Sequence, residues 1–266
     1  FTWFLQLFPE WLFVGIVLLM LYFAVDTFYY KREHSQAKEM DRLEHRALEL
    51  SGKINFLYLV GVVVAVALVN ESYIPAMAKA DASIWMVHLR DIVLLVLTGL
   101  SLLTTSKEIR YEKNKFSWMP ITEVAILFLG IFVTMTPVLE YLRVHAASLG
   151  LNEIWQFYYT TGTLSSFLDN TPTAVAFHSV ALGLPAYQLA SYGGEIVAGV
   201  PSMLLRAISL GSVMFGAMTY IGNGPNFMVK AIAERRGIKM PSFFGYMLFS
   251  LGVLLPVYML AQLIFL

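Results

Sequence analysis

The sequence predicts an all-α membrane protein in which transmembrane helices are combined with two polar interruptions. Of its 266 residues, 58% are hydrophobic and 14% are charged, whereas about a quarter are charged in soluble domains. Two N-x-P motifs, residues 170–172 and 223–225, lie inside apolar stretches. Most Lys and Arg residues fall in three segments, as the loops on the cytoplasmic side of multi-pass proteins do. These three observations together predict the fold class.

Five segments are predicted to span the bilayer. A helix needs about 20 predominantly apolar residues to cross the hydrocarbon core. The segments that reach or approach this length are residues 11–30, 54–69, 84–103, 121–142 and 243–266.

The orientation follows from the basic segments 31–53, 105–120 and 230–240. All three lie on the cytoplasmic side if residues 154–184 form a re-entrant hairpin and residues 206–235 form one spanning helix that is broken in the middle. The hairpin then enters from the outer face, and both ends of the chain lie outside. Within 31–53, helical spacing of apolar residues suggests an interfacial amphipathic helix, although a solvated charged linker fits equally well. The apolar positions are Met40, Leu43, Ala47 and Leu50.

The hairpin is expected to turn at 169–172, with Pro172 in the first turn of its second arm and Asn170 or Thr171 as the cap. Pro225 is expected to begin the second half of the broken helix in the same way. Irregular backbone at membrane depth must be satisfied by protein or by a wet cavity, so the two breaks should face each other or a cavity. Such discontinuous helices form the binding sites of secondary transporters.

The predicted site combines these two breaks. An ionisable group at membrane depth, here Asp169, is a functional candidate because it costs about 2.5–3.5 kcal/mol to place there. Asp169 could bind either Na+ or H+, with Asn170 and Asn223 as further Na+ ligands; alternatively, it pairs with a helix N-terminus or a basic side chain. The N-x-P motifs could also merely cap kinked helices. The remaining predicted ion or substrate ligands are Ser165, Ser166, Thr171, Thr173, Gly224 and Asn226.

Three further titratable residues are secondary candidates. Glu123 and Glu140 lie near opposite ends of the span 121–142, which favours interfacial positions, and Glu140 could form a local ion pair with Arg143. His178 could relay protons, although a hydrogen-bonded structural histidine is the commoner case.

Several function classes are excluded by the sequence. Zero formal net charge gives no electrostatic basis for binding nucleic acid. The absence of cysteine removes disulfides, thiolate metal sites and cysteine nucleophiles. No P-loop, G-x-S-x-G or H-E-x-x-H motif is present, so we predict neither an enzyme nor a bound cofactor other than a transported or coupling Na+.

The chain resembles the C-terminal half of bacterial proteins in the Na+/H+ antiporter and arsenite-permease branch of the ion transporter superfamily, which includes citrate carriers. The resemblance rests on S-S-F-L-D-N-T-P-T at 165–173, G-A-M-T-Y-I-G-N-G-P-N-F-M-V-K-A-I-A-E at 216–234, P-S-F-F-G-Y-M at 241–247 and F-P-E-W-L-F-V at 8–14. It implies one repeat of an inverted-repeat transporter, usually a homodimer, in the bacterial inner membrane. In such a transporter a scaffold, here 1–150, supports a mobile transport part, here 151–266.

Two departures from that family qualify the expected function. Residues 1–153 contain no first hairpin and broken helix, so a missing N-terminal repeat or a partner chain is expected. Divalent-anion carriers of the superfamily have Ser-Asn-Thr at the hairpin tips, and Asp169 stands where their serine would be. Its negative charge favours a cation or a proton over a carboxylate substrate. We therefore predict Na+/H+ antiport, with a citrate or arsenite permease as one alternative and a non-transporting membrane subunit as another.

Overall fold

The computed structural model describes residues 2–36, 38, 39, 51–79, 81–235 and 237–266, and these are mainly helical. The α-helices are α1 (Thr2–Gln6), α2 (Phe8–Arg32), α3 (Ile54–Leu68), α4 (Ile84–Val87), α5 (Leu89–Thr104), α6 (Met119–Val144), α7 (Ile154–Ser165), α8 (Asn170–Leu182), α9 (Ala186–Ser191), α10 (Ser202–Met214), α11 (Gly224–Arg235) and α12 (Phe243–Phe265). Shorter turns are the 3-10 segments Pro75–Ala78, Ala146–Leu149 and Phe215–Met218 and the π-helix Glu108–Lys113.

A two-stranded antiparallel ribbon departs from the predicted all-α class. Strands β1 (Ile196–Val197) and β2 (Val200–Pro201) pair across the two residues Ala198 and Gly199. Both turn residues have positive φ angles, of 51° and 83°. This is the backbone of a type I′ hairpin turn.

Two helices in the described part of the chain, α2 and α12, are long and apolar enough to cross a membrane. Helix α3 and the segment Ser202–Met218 are apolar but shorter. The predicted span 121–142 lies within one helix, α6, which contains Pro137. The predicted span 84–103 is not continuous, because His88, with φ −96° and ψ 17°, separates α4 from α5. The predicted amphipathic positions Met40, Leu43, Ala47 and Leu50 lie outside the described residues.

The chain folds into two compact units. The first comprises Phe1–Trp3 and Glu33–Val124, and the second comprises Phe4–Arg32 and Ala125–Leu266. The division at residue 150 between scaffold and transport part is a functional one and stays a prediction. In the first unit, α3 and α5 pack together, and Gly61 lets the two helices approach closely at Leu97.

The core of the second unit lies where α7 crosses α10, the most extensive helix pair among the described residues. Phe157 and Tyr158 of α7 and Leu204 and Ile208 of α10 are completely or almost completely buried there. A Cβ atom on Gly211 would lie 2.5 Å from the Tyr158 carbonyl oxygen, so the two backbones are nearly in contact. Small residues at crossings of this kind allow the close packing on which helix association in membranes depends.

Helices α7 and α8 are the arms of the predicted hairpin. They contain 12 and 13 residues, so each is about 18–20 Å long, well short of the roughly 30 Å hydrocarbon core. Gln156 fixes the start of α7, because its side-chain oxygen accepts the N–H of Glu153 at 3.0 Å in a capping box. Residues 166–169 connect the arms.

Candidate functional site

The hairpin tip is organised by Asp169. This residue is the N-cap of α8, and its carboxylate accepts the N–H of Asn170 at 2.7 Å. Its carbonyl oxygen accepts the hydroxyl of Thr173 at 3.0 Å. The expectation that Asn170 or Thr171 caps this helix was wrong, because an aspartate with extended backbone can accept the first amide itself. Pro172 lies in the first turn as predicted, and Asn170 is already helical.

The second break begins before the N-x-P motif at 223–225. Helix α10 continues into the 3-10 turn Phe215–Met218, and Thr219 is extended, with φ −133° and ψ 166°. Helix α11 then begins at Gly224 and has Pro225 as its second residue. Proline is well tolerated there because the first amides of a helix have no intrahelical acceptor.

The two breaks meet through Asn170 and Asn223. The hydrogen-bond network assigns the Asn170 amide so that its oxygen accepts from Asn223 Nδ2 at 3.2 Å. In this orientation the Asn170 nitrogen donates to the carbonyl of Ser212 at 2.9 Å and to that of Gly222 at 3.3 Å. It also reaches Ser165 Oγ at 3.0 Å, while the Ser165 hydroxyl donates to the Ser212 carbonyl. One amide side chain thus joins α8, α10 and the connection before α11.

Two glycines allow this junction to close. A Cβ atom on Gly216 would lie 2.2 Å from the Asn170 amide. On Gly222 it would lie 2.7 Å from the carbonyl oxygen of Ser166 and 2.8 Å from those of Ser165 and Gly216. Backbone atoms cannot move aside as a flexible side chain can, so position 222 excludes larger residues. At position 216 a larger residue would displace the Asn170 side chain from the junction.

Side-chain donors cover the carbonyl groups at the end of the 3-10 turn. Uncovered, such carbonyls at the end of a half-helix attract cations. Ser166 Oγ donates to the carbonyl of Phe215 at 3.2 Å, and Asn226 Nδ2 donates to the carbonyls of Gly216 at 3.0 Å and Thr219 at 3.1 Å. The hydroxyl of Tyr246 donates to the carbonyl of Ala217 at 2.9 Å, and that of Ser250 donates to the carbonyl of Met218 at 2.6 Å. Thr219 Oγ1 likewise donates to Ser166 O.

One acceptor at the junction lacks a partner among the described residues. The side-chain oxygen Oδ1 of Asn223 is buried and accepts no hydrogen bond. Buried polar atoms are normally satisfied by protein or water, so an orphan of this kind indicates a position for a ligand, an ion or water. Thr171 and Gly224, at the starts of α8 and α11, are exposed, and Asp169 is partly exposed.

The secondary candidates lie outside this junction. His178 Nε2 is 2.9 Å from the carbonyl oxygen of Ala198, so the imidazole supports the turn between β1 and β2. Glu140 is exposed on α6, and the ion pairs of the described residues do not include one with Arg143. The side chain of Glu123 lies outside the described part of the structure.

The sequence reasoning missed a buried ion pair between Glu10 of α2 and Arg206 of α10. Arg206 Nη1 lies 3.0 Å from Glu10 Oε1, and the two side chains are 29% and 1% exposed. Neither carboxylate oxygen accepts a hydrogen bond of good geometry from the described residues, so charge holds the pair together. In the sequence, Arg206 stands at the first position of the predicted segment 206–235. In the structure it lies inside α10, which begins four residues earlier. The available signal was a charged residue on each of two apolar segments.

A cavity of about 220 Å³ borders the hairpin tip at Ser166 and Thr219. Its other walls include Phe167, Phe215 and Met218, so the surface is mainly apolar. Such a lining does not suit a multiply charged ligand. The described residues contain no cluster of three or more His, Cys, Asp or Glu side chains. A Na+ site at the junction would therefore use amide and carbonyl oxygens together with Asp169.

Comparison with known proteins assigns the family. Searches of curated proteins and of solved structures found no match. The model of one protein family, CitMHS_2, matches residues 1–266, and the family carries the description "Putative citrate transport". The match covers the entire chain, including both helix breaks and the two long apolar helices. The chain therefore belongs to the CitMHS_2 citrate transport family and is a membrane transport protein.

Proposed function

We propose that the protein is a secondary carrier of citrate or a closely related carboxylate, with its site where the hairpin tip meets the break between α10 and α11. The observation that carries the proposal is the 3.2 Å contact between the amides of Asn170 and Asn223. It brings together the N-termini of α8 and α11. The first amides of each helix carry the positive end of the helix dipole, and two such ends suit a carboxylate.

The covered carbonyls favour an anion over a bare cation as the substrate. A Na+ ion at the end of the 3-10 turn would compete with the hydrogen bonds that Ser166, Asn226, Tyr246 and Ser250 donate there. At the amide ends of α8 and α11, the Asn170 N–H donates to Asp169, the N–H groups of Thr173 and Asn226 donate to the carbonyls of Asp169 and Asn223, and Pro172 and Pro225 have no N–H. The amides of Thr171 and Gly224 are the ones that an anion could bind without such competition. This asymmetry agrees with the family description and reverses our preference for Na+ over a carboxylate.

Asp169 would couple the carboxylate to a cation. The Asp169 carboxylate accepts the backbone N–H of Asn170. A carboxylate of the protein itself is thus bound at the positive end of the α8 dipole. When a proton or Na+ neutralises Asp169, the backbone N–H of Asn170 becomes available to a substrate carboxylate. The carrier would therefore take up citrate together with H+ or Na+.

Na+/H+ antiport is the second candidate, and it rests on a different observation. Asp169 and the unpartnered Oδ1 of Asn223 are two oxygen ligands of the kind that Na+ prefers. The bacterial inner membrane, a homodimer, and an N-terminal repeat or partner chain that completes the site remain part of the proposal. A non-transporting membrane subunit is the third possibility.

The test is transport by the full-length protein in liposomes. Labelled citrate should accumulate when an inward gradient of H+ or Na+ is imposed, and a pH-sensitive dye should record no Na+/H+ exchange without citrate. Exchange in the absence of citrate, together with no citrate uptake, would establish antiport instead. No flux of either kind, in protein that is folded and complete, would support the non-transporting subunit.

Asp169→Asn isolates the coupling step. The amide keeps the shape of the side chain and can still accept from the Asn170 N–H, but it cannot be titrated. Citrate accumulation driven by the ion gradient should fall by at least about tenfold, which corresponds to 1.4 kcal/mol of coupling free energy. Asp91→Asn is the matched control, because Asp91 lies in α5 of the other unit and is exposed. Equal accumulation by wild type and Asp169→Asn would exclude Asp169 from coupling.

A further inference from the structure

The first unit contains a second polar pocket that the proposed transport site does not use. It has a volume of about 580 Å³ and lies between the first turn of α3, the last turn of α5 and the π-helix Glu108–Lys113. Two cationic side chains, Arg110 and Lys113, line it together with the polar side chains of Asn55 and Asn114.

Hydrogen bonds fix the floor of this pocket. Asn55 Oδ1 accepts from Ser101 Oγ at 2.8 Å and from Thr105 Oγ1 at 3.1 Å, which ties α3 to α5. Arg110 Nη2 donates to the carbonyl oxygen of Thr105 at 3.1 Å, so the guanidinium is held against the same end of α5. A guanidinium has five N–H donors, and one carbonyl contact leaves it able to bind an oxyanion.

The second cation is only weakly engaged. Lys113 Nζ lies 3.4 Å from Glu108 Oε1, and both side chains are more than half exposed. Exposed pairs of this kind contribute little to stability. An anion in the pocket can therefore compete with Glu108 for the ammonium group.

The remaining walls are apolar. Phe56 and Leu59 of α3 and Leu102 of α5 line the side of the pocket toward the middle of the helices. The apolar sequence of α5 ends at Thr104, and four cationic and two acidic residues follow within residues 105–120, a net charge of +2. A membrane–water boundary has this character, with an apolar surface on one side and a cluster of cations on the other.

We propose that this pocket binds the phosphate headgroup of an anionic phospholipid. Arg110 and Lys113 would bind the phosphate oxygens, and Phe56 and Leu59 would contact the start of an acyl chain. Basic pockets between helices at the cytoplasmic surface recognise lipid headgroups by these interactions. The inference is independent of the transported substrate and of the junction between Asn170 and Asn223.

The experiment compares lipid binding by the full-length protein in phosphatidylcholine nanodiscs with and without phosphatidylglycerol. Native mass spectrometry would count retained lipids after transfer to detergent, and thermal unfolding would report stabilisation. Wild type should retain phosphatidylglycerol at least about tenfold better than phosphatidylcholine. Arg110→Gln and Lys113→Gln should each remove most of this preference. Arg90→Gln and Lys79→Gln are the matched controls, since each removes the same charge outside the pocket.

Separate arms distinguish the sources of the phosphate and guard against misfolding. Inorganic phosphate added to protein in phosphatidylcholine should raise the unfolding temperature much less than phosphatidylglycerol does. An equal rise would mean a site for a free oxyanion and would overturn the lipid assignment. Arg110→Lys keeps the charge and should retain part of the preference, with unchanged helix content by circular dichroism. The proposal is refuted if both glutamine variants fold and retain phosphatidylglycerol as wild type does.

Discussion

The ion pair between Glu10 and Arg206 gives the most demanding test of how the second unit is held together. The perturbation is a double-mutant cycle of Glu10→Leu, Arg206→Leu and the combined variant. Leucine fills a similar volume without charge, so each single variant leaves one charge buried without its partner.

The geometry sets the expected magnitudes. Two unit charges 3.0 Å apart attract each other by roughly 5.5 kcal/mol at an effective dielectric constant of about 20, before the cost of desolvation is subtracted. Removing one partner from a buried pair costs about 3–5 kcal/mol. Arg206→Leu should be the worse single change, because Glu10 is 1% exposed whereas Arg206 is 29% exposed.

The combined variant should be more stable than either single variant, because no uncompensated charge remains. We expect its free energy of unfolding to lie within about 1–2 kcal/mol of wild type, so that the coupling energy of the cycle is at least about 3 kcal/mol. The assay is unfolding in mixed detergent micelles, followed by the loss of helix signal in circular dichroism. Single losses that simply add in the combined variant would show that the two charges do not interact, and the reasoning would be refuted.

Two further changes test the junction and its surroundings. Gly222→Ala should lower the free energy of unfolding by about 1–3 kcal/mol, because the new Cβ would meet three backbone carbonyls; Gly252→Ala, which meets no atom within 4 Å, should be neutral or slightly stabilising. An equal effect of the two in detergent unfolding would contradict the close approach. His178→Ala should cost about 0.5–1.5 kcal/mol through the lost bond to Ala198 and leave citrate transport at each pH unchanged. A shifted pH profile of transport would instead make His178 a proton relay.

The sequence was sufficient to locate the helix breaks. Proline and asparagine close together within an apolar segment indicate an interrupted helix, and the short arms α7 and α8 follow from the number of apolar residues on each side of 166–169. Pro172 and Pro225 lie in first turns for a local reason, the missing N–H group. Local rules of this kind do not depend on the rest of the fold.

Side-chain partners could not be predicted in the same way. The role of Asn170 as the junction depends on residues some 40–55 positions away, such as Ser212 and Asn223. The choice of Asp169 as the N-cap depends on the backbone angles at the turn, which the sequence does not record. Glu10 and Arg206 are almost 200 positions apart, and no periodicity connects them. The break at His88 was missed because hydropathy alone does not record a change of φ and ψ.

The junction at Asn170 also bears on the order in which the chain can be assembled. The hairpin tip is synthesised well before its partners, since the Ser212 and Gly222 carbonyls and the Asn223 amide follow 42–53 residues later. Until these residues emerge from the ribosome, the Ser165 hydroxyl and the Asn170 side chain have only each other as partners. At the membrane depth predicted for the tip, lipid offers no others. The newly made hairpin should therefore remain at the aqueous surface or within the translocation machinery until α10 and the start of α11 are available. Insertion of the hairpin and the broken helix would then occur as one cooperative step during biogenesis.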